Sequence, residues 1–417
     1  MTSQMTSSTP TTRRHQLSDR VQTSTHMGLS ETSTLDFVAR ARALVPDLRA
    51  RSQDCNRLGH LPDETVEELQ DTELWRMMTP ARYGGAQVHP RVLSRVLEAL
   101  SSGCASTAWA YNIYLTAPYV VATMPDEAQA EFFDIPGALS SLTLSPSGTA
   151  RPVDGGYRIK GQWRFSTGQH HAAWALLCTV ALDGDNSPVG PAHVLVPRAE
   201  LARLSDWDVT GLRGTASNTL VADDLFVPAH RFRAMADVVP GSSPSSVLNE
   251  DPFYQLPLVP FFASVSPGNA VGMADAAIEL MLSRVSKRAI TYTQYARQSE
   301  ATVTHFQMAE AVMRRDQAKF HAERAADALD DIRQRPGDVL MRVRCRADLG
   351  WAVELSKQAI HIVRSAAGAS SITVADPLST IVNDIDALSM HSFILFSSNK
   401  ELYGQVLCGN PPPTPYY

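Results

Sequence analysis

The stretch 153–168 ends in two adjacent hydroxyl side chains and a glycine, which let hydroxyl and main-chain groups approach a flat ligand closely. It opens with the turn sequence Asp154-Gly155-Gly156 and continues as an alternating run to Phe165. Alternation bounded by glycines predicts a β-hairpin. The triplet Ser166-Thr167-Gly168 follows at its end. An ordinary strand end has the same composition, so this stretch by itself leaves a binding role open.

Two adjacent histidines, His170 and His171, follow directly and raise the question of a metal site. Neighbouring residues on a strand point to opposite faces of a sheet, and no third ligand stands at a useful spacing. We therefore predict a solvated pair and no metal site.

Length and composition restrict the class of protein. A chain of 417 residues is too long for one minimal core and predicts two or three structural units. With 44% apolar and 19% charged residues, its net charge of -6 argues against nucleic acid or an anionic membrane as the main partner. No apolar run approaches the length of a membrane span. The five cysteines are scattered without a CxxC pair, which predicts reduced thiols in a cytoplasmic protein.

Hydrophobic periodicity divides the chain into four regions and predicts an α+β fold. Residues 1–34 are rich in Ser, Thr and Gln without an apolar period, which predicts a disordered tail. Helical periodicity fills 35–135, and a β region covers 136–238. Helices return over 239–417 and predict a C-terminal bundle of four long helices.

Two motifs in the β region resemble a known family. A second predicted β stretch, 207–217, contains W-x-x-x-G-L-R-G-T-x-S, and a further strand pattern closes in Val227-Pro228. With G-x-W-x-F-S-[ST]-G at 161–168, they resemble the middle domain of the acyl-CoA dehydrogenase superfamily, and most of all its flavin-dependent two-component monooxygenases (group D). The resemblance covers 35–409. It implies an N-terminal helical domain, a central β-barrel or sandwich domain and a C-terminal four-helix bundle.

The resemblance implies a flavin site in the β region. Thr143 and Ser145 fall in a loop that lies along the flavin ring in this fold, as candidate donors to the pyrimidine carbonyls. Phe165 takes the place of a Trp that dehydrogenases keep beside the ring. Thr167 falls near flavin N5, with Ser166 as its neighbour.

The resemblance also implies contacts between subunits. Arg297 with Gln307 resembles the family's paired contacts to the cofactor of a neighbouring subunit, with a loosely matching spacing. The C-terminal bundles of such proteins commonly pack on each other. A homotetramer, as a dimer of dimers, is therefore expected.

One helix in the N-terminal region is a candidate wall of the substrate pocket. It carries Trp109 and Asn112, which the resemblance places beside flavin and substrate, and core packing is the alternative for its aromatic side chains. Many relatives that hydroxylate phenols have a His eight residues after this Trp, where Ala117 stands here. This departure makes a simple phenol a less favoured substrate.

The stretch 375–392 resembles the superfamily's motif of Pro-Leu, Arg-Asp and a later catalytic residue, with Asn383-Asp384 in place of Arg-Asp. At the catalytic position acyl-CoA dehydrogenases have a proton-abstracting Glu and the monooxygenases a His, and this chain has His391. An imidazole with an ordinary pKa of about 6.5 is suited to accept a phenol or indole proton, or to hydrogen-bond a flavin peroxide. A packed or exposed helix histidine is the alternative. Asp384 and Asp386 are expected to be ordinary helix carboxylates.

The resemblance implies the oxygenase component of a two-component flavin-dependent monooxygenase. Reduced FMN or FAD would come by diffusion from a separate NAD(P)H-dependent flavin reductase, since no G-x-G-x-x-G follows a strand here. With O2 as co-substrate, a C4a-hydroperoxyflavin would hydroxylate an aromatic molecule of phenolic, polyketide or indole type. Oxygenation of an amine, aminosugar or sulfur heterocycle is the alternative. An acyl-CoA dehydrogenase or oxidase is more distant because the Glu is missing, and a non-enzymatic scaffold would bind no reduced flavin.

Overall fold

The computed structural model describes residues 31–238, 245 and 251–417. Most of the predicted tail, 1–30, lies outside the described residues. The first helix begins at Glu31, inside the region predicted to be tail. The division of the chain into domains stays a prediction, and helical, β and helical segments follow one another in the expected order.

The N-terminal segment is helical. Its α-helices are α1 Glu31–Ala43, α2 Val45–Leu58, α3 Asp63–Asp71, α4 Pro90–Gly103, α5 Ala105–Val121 and α6 Asp126–Phe133. Helix α5 is apolar on nearly every side, and almost all of its side chains are buried. A helix of this composition belongs in the interior of a protein. The residues predicted to line the substrate pocket are therefore inside the protein.

The β region forms one mixed sheet. Its strands are β1 Ser140–Leu142, β2 Thr149–Val153, β3 Gly156–Trp163, β4 Trp174–Leu182, β5 Pro188–Pro197, β6 Ala202–Arg203, β7 Leu220–Pro228 and β8 Phe232–Ala234. They are ordered β6-β7-β3-β2-β4-β5-β8, with β1 beside β4. β1 and β2 run parallel to β4. The two end strands do not pair, so the described strands form an open sheet and not the closed barrel that was one expectation.

The sequence predicted one of its two β motifs correctly. β2 and β3 form the expected antiparallel hairpin, with Gly155 in the left-handed conformation at φ 73° in the turn. The prediction of a strand over 207–217 is wrong. Leu212 and Ala216 have φ values of 52° and 47° on either side of a 3₁₀ turn, Arg213–Thr215, and such backbone conformations do not continue a strand.

Strand β4 is buried on both faces and joins the sheet to the helices. Ala175 and Leu177 pack with Trp163 in the small core of the curved sheet. Leu176 and Cys178 point the other way, into the large core formed by the helices. Alternate side chains of a strand point to opposite faces, so a nearly continuous apolar strand is required here. This packing fixes the end of β3 against the helical part of the molecule.

Long helices make up the C-terminal part. The α-helices are α7 Met235–Val238, α8 Leu258–Val265, α9 Pro267–Val285, α10 Thr302–Gln334, α11 Val339–Ala367, α12 Pro377–Ser389 and α13 Phe396–Leu407. The break between α12 and α13 places His391 in a turn rather than in a helix. Among the described residues, no helix combines the length and the apolar character needed to cross a bilayer.

A buried histidine beneath the predicted flavin loop makes stability depend on pH. His193 on β5 is fully buried, with Nε2 at 3.3 Å from the carbonyl oxygen of Thr143, and desolvation lowers the pKa of His193 to about 4. As the pH falls from about 6.5 to 4, the unfolded chain therefore binds a proton that the folded chain does not. The free energy of unfolding should decrease over this window and recover as the pH rises. His193→Gln should remove part of this slope in urea unfolding, and an unchanged slope would exclude His193 as its source.

Candidate active site

The turn after β3 holds an aromatic side chain out of the protein. Phe165 has a left-handed backbone with φ 59° and is 63% exposed, with its ring edge-on to Trp207 at 6.1 Å. A non-glycine residue in this conformation costs on the order of 1–3 kcal/mol. Ser166 is fully buried, and its hydroxyl donates to the carbonyl of Trp163 at 2.9 Å. Ser166 thus closes the turn, and the turn presents the Phe165 ring to a ligand.

Three hydroxyl groups form a chain behind this turn. Thr167 Oγ1 lies 2.9 Å from Ser217 Oγ, which lies 2.7 Å from Thr215 Oγ1, and all three side chains are buried. Thr215 Oγ1 donates to the carbonyl of Leu212 at 2.9 Å. A carbonyl only accepts and each hydroxyl has one proton, so Ser217 donates to Thr215, and Thr167 donates to Ser217. The Thr167 oxygen is left as an acceptor for a further N–H or O–H group.

Contacts from two helices hold the loop 212–217, which carries two of these hydroxyls. The Leu212 N–H donates to Asp384 Oδ1 on α12 at 2.6 Å, and burial raises the pKa of Asp384 to about 7. The Gly214 N–H donates to Ser106 Oγ on α5 at 3.2 Å, and a Cβ at Gly214 would come within 2.0 Å of a cysteine sulfur on α2. Asp384 is therefore a buried anchor of this loop and not the ordinary helix carboxylate that was expected.

The His391 side chain lies edge-on to Trp109 of α5, with 5.4 Å between ring centroids. The Phe393 N–H donates to His391 Nδ1 at 3.3 Å, so the neutral ring carries its proton on Nε2. Desolvation lowers the pKa of His391 to about 4, which keeps the ring neutral near pH 7. Asp386 accepts from His361 at 2.9 Å, on another helix face. His391 is therefore a hydrogen-bond donor at Nε2.

Asn112 supplies a buried acceptor on the face of α5 that carries Trp109. It lies one helical turn after Trp109 on α5, so the two side chains share a face of the helix. Asn112 Nδ2 donates to Ser266 Oγ at 3.3 Å, whereas Oδ1 is buried and has no hydrogen-bond partner among the described residues. A buried acceptor without a partner costs about 1–3 kcal/mol and marks a position for a ligand donor. Ala117 is fully buried and lies about 80° around the helix from Trp109.

A cavity of about 420 Å³ opens between the loop after β1 and the turn that carries His391. Ser145 lines one side of it, and Ser392 and Phe393 line the other. Arg346 of α11 also lines the cavity, with its guanidinium 5.0 Å over the Phe393 ring and donating to a carbonyl near the C-terminus. The remaining walls are largely apolar, and the volume suits a small molecule.

Known proteins with this sequence pattern identify the family. Family models for the N-terminal and C-terminal domains of acyl-CoA dehydrogenases match residues 34–134 and 265–396. The flavin-dependent monooxygenase oxygenase subunit HsaA of Mycobacterium tuberculosis is 31% identical over 392 residues, covering 88% of this chain and 94% of the relative. The chain belongs to the flavin-dependent monooxygenase oxygenase subunits.

A second relative and a solved structure agree with this assignment. An oxygenase component named FADH(2)-dependent resorcinol hydroxylase, from Rhizobium sp., is 26% identical over 402 residues, covering 91% of this chain and 96% of the relative. XiaF from Streptomyces sp., solved in complex with FADH2 and glycerol, matches with a TM-score of 0.87 and 29% identity over 92% of this chain and 98% of that chain. The predicted fold and the predicted enzyme class, an oxidoreductase of the monooxygenase type, are confirmed.

The described residues fit a reduced flavin, whose N5 carries a proton. Thr167 offers the acceptor that the hydroxyl chain leaves over. Thr143 Oγ1 accepts from a backbone N–H of β4 at 3.0 Å, so its own proton is available to a flavin carbonyl. Phe165 and Ser145 are both exposed and can contact a ring. The hydroxyl of Ser166 is used inside the turn, so the geometry does not favour it as a second flavin contact.

The residues predicted to reach a neighbouring subunit lie apart from the cavity lining. Arg297 is exposed, and its Nε donates to Glu300 at 2.8 Å. Gln307 is partly exposed near the start of α10. Their contact with a neighbour's cofactor stays a prediction.

Sequence reasoning missed three residues of this site: Thr215, Ser217 and Arg346. The first two stand in the GLRGTxS motif, where the hydroxyl types were a usable signal. Arg346 stands one and two turns before Leu349 and Val353, on the apolar face of α11. An arginine on the apolar face of a helix is rarely buried without a partner, so Arg346 could have been recognised in the sequence as a candidate site residue.

Proposed function

We propose that this chain hydroxylates an aromatic small molecule, using reduced FMN or FAD that a separate NAD(P)H-dependent flavin reductase delivers by diffusion. The direction of the hydroxyl chain carries this proposal. An acceptor at Thr167 pairs with the N5–H of a reduced flavin and opposes the N5 lone pair of an oxidised one. When bound, the reduced flavin supplies the activation of O2 from which one oxygen atom passes to the substrate.

The residues of the candidate site have separate tasks in this proposal. Thr167 holds the proton at flavin N5, and Thr143 donates to a flavin carbonyl. His391 Nε2–H hydrogen-bonds the oxygen that is being transferred or the oxygen of the substrate. Trp109 packs edge-on against His391, and the cavity lined by the adjacent Ser392 and Phe393 has largely apolar walls that disfavour water.

A substrate with a hydroxyl or N–H group on an aromatic ring fits the polar groups of the site best. Such a group donates to Asn112 Oδ1, and a hydroxyl oxygen also accepts from His391 Nε2. A thioether has no proton to donate, so it leaves the buried acceptor unpaired.

Product analysis tests the proposed reaction. The chain, a flavin reductase, NADH and isotopically heavy O2 are incubated with polycyclic phenols, indoles, an aminosugar and a sulfur heterocycle. We expect one heavy oxygen atom on an aromatic ring carbon, and only when both proteins are present. Incorporation into nitrogen or sulfur alone, or NADH oxidation by the chain without the reductase, would overturn the proposal.

Removing the hydroxyl of Ser217, the middle member of the chain, should reduce the selectivity of binding for reduced over oxidised flavin. Ser217→Ala frees the Thr167 proton, which can then donate to the N5 of an oxidised flavin. Because one hydrogen bond is worth about 1 kcal/mol, the ratio of the Kd for oxidised flavin to that for reduced flavin should fall by about 3- to 10-fold. Anaerobic fluorescence titration measures both constants. Ser166→Ala is the matched control, since its hydroxyl lies outside the chain, and an equal change in both variants would contradict the proposed direction.

We also propose a homotetramer in the cytoplasm. An exposed apolar stripe on α10 supports assembly with copies of the same chain: Val303, Phe306, Met313 and Phe320. Three of these residues are seven apart, which places them on one helix face. Arg297 and Gln307 stand beside the start of this stripe, as a contact to a neighbour's cofactor requires. Light scattering on the purified chain should give the mass of four copies, and a monomer would overturn this assignment.

A further inference from the structure

Three histidines come together beside the turn that carries Thr167. His170 and His171 lie in this turn, and His60 follows α2 directly after Gly59. One ring nitrogen from each of the three histidines lies within 4.8 Å of those of the others. The two adjacent histidines lie in a turn and not on the strand assumed from the sequence, and a third histidine, distant in sequence, stands beside them.

Hydrogen bonds to two of these rings leave a lone pair available on each. His60 Nδ1 donates to the carbonyl of Leu61 at 2.8 Å, so the neutral ring has its lone pair at Nε2. His171 Nε2 donates to Asp63 Oδ1 in the first turn of α3, also at 2.8 Å, which leaves the lone pair at Nδ1. Metal-binding histidines have this arrangement, in which the second ring nitrogen donates to a carbonyl or a carboxylate.

The charge state of the cluster also suits a cation. His60 and His170 stack with 3.9 Å between ring centroids and 5° between planes, an arrangement that two protonated rings would not keep. Neutral imidazoles are the form that binds metal ions.

We propose that His60, His170 and His171 form a zinc site, with water in the fourth position and Asp63 orienting His171. Zn²⁺ accepts three imidazoles at about 2.0–2.1 Å with one open position, and imidazole selects it over Mg²⁺ or Ca²⁺. Tetrahedral ligands at this bond length lie about 3.4 Å apart. The exposed His170 ring closes the remaining gap by rotating out of its stack with His60.

The proposed site links two parts of the chain that are far apart in sequence. His60 and Asp63 belong to the N-terminal helical segment, whereas His170 stands three residues after Thr167. A bound ion cross-links the two and stabilises the folded chain by mass action. It also restrains the turn on which the Thr167 hydroxyl depends, so the site can support the flavin pocket from outside the cavity.

Metal titration of tag-free, chelator-treated protein tests the proposal without relying on enzyme activity. Co²⁺ serves as a coloured probe in place of the colourless Zn²⁺. Displacement of bound Co²⁺ by added Zn²⁺ then gives the Kd for Zn²⁺. We expect one ion per folded chain, no binding of Mg²⁺, and a rise in Tm with Zn²⁺ that a chelator reverses. His60→Ala and His170→Ala should each abolish the Co²⁺ spectrum, and Asp63→Asn should weaken binding by about 10- to 100-fold.

His305→Ala is the matched control, because His305 is exposed and its Nε2 meets only a backbone carbonyl in its own segment. It should bind Co²⁺ as the unaltered chain does. Equal binding by the His60, His170 and His305 variants would overturn the site, as would the absence of a Co²⁺ spectrum in the unaltered chain. Circular dichroism of each variant separates loss of binding from loss of fold.

Discussion

Replacing His391 with alanine is expected to slow hydroxylation of an aromatic substrate by about two to three orders of magnitude, the usual effect of removing a fixed hydrogen-bond donor from an oxygen on which charge develops. The neutral ring stands beside Trp109 with its proton on Nε2, so it can hydrogen-bond such an oxygen while keeping its proton. Reoxidation of bound reduced flavin by O2 should change much less, because that step needs only flavin and O2. Stopped-flow traces with and without substrate separate the two phases.

Two further variants make this prediction sharper. His391→Gln keeps an N–H donor but cannot take up a proton, so recovery of most of the rate would assign His391 to hydrogen bonding alone. His361→Ala is the matched control, since His361 lies on α11, where its ring pairs with Asp386. If the substrate were an amine or a thioether, His391→Ala would cost little in oxygen transfer. A His391→Ala enzyme that is unimpaired in both phases would remove His391 from the mechanism.

Thr167→Val is expected to divert reduced flavin from product to hydrogen peroxide. Valine keeps the branched shape of the side chain but removes the acceptor that holds the N5 proton. Losing one hydrogen bond in a dry site costs about 1–3 kcal/mol, which corresponds to about one to two orders of magnitude in the rate of peroxide release. Peroxide formed per reduced flavin consumed is measured with saturating substrate.

A hydroxyl group at position 167 should be sufficient to direct reduced flavin to product rather than to hydrogen peroxide. Thr167→Ser keeps the oxygen and its contact with Ser217, so its peroxide yield should stay close to that of the unaltered chain. Circular dichroism should show the fold intact in both variants. Equal peroxide yields from Thr167→Val and Thr167→Ser would exclude Thr167 as the group that holds N5–H.

The sequence predicts features that depend on neighbours along the chain. The β2–β3 hairpin follows from alternation and from the glycine turn, both of which are local. The buried helix α5 follows from its apolar composition. The resemblance to the family assigned His391 and Trp109 to one pocket, whereas their ring contact was found only in the structure.

Features set by distant contacts could not be predicted. The loop 212–217 was expected to be a strand. Two of its backbone N–H groups instead donate to side chains that are distant in sequence, Asp384 on α12 and Ser106 on α5. The hydroxyl chain needs Ser217 to contact Thr167, which lies 50 positions earlier in the sequence. The three-histidine cluster needs His60 to reach His170, which lies in a different part of the fold. In each case the sequence pattern indicated one partner of the contact, and the other partner could be identified only from the structure.

Anaerobic titration of the purified chain with reduced and oxidised flavin is the sharpest test of the proposed oxygenase, because the preference for reduced flavin follows from the direction of the hydroxyl chain. We expect reduced FMN or FAD to bind at least about 10-fold more tightly than the oxidised form, which corresponds to about 1.4 kcal/mol of selectivity. Equal affinity for the two forms, or tighter binding of oxidised flavin, would contradict the proposed role of Thr167 as an acceptor for N5–H.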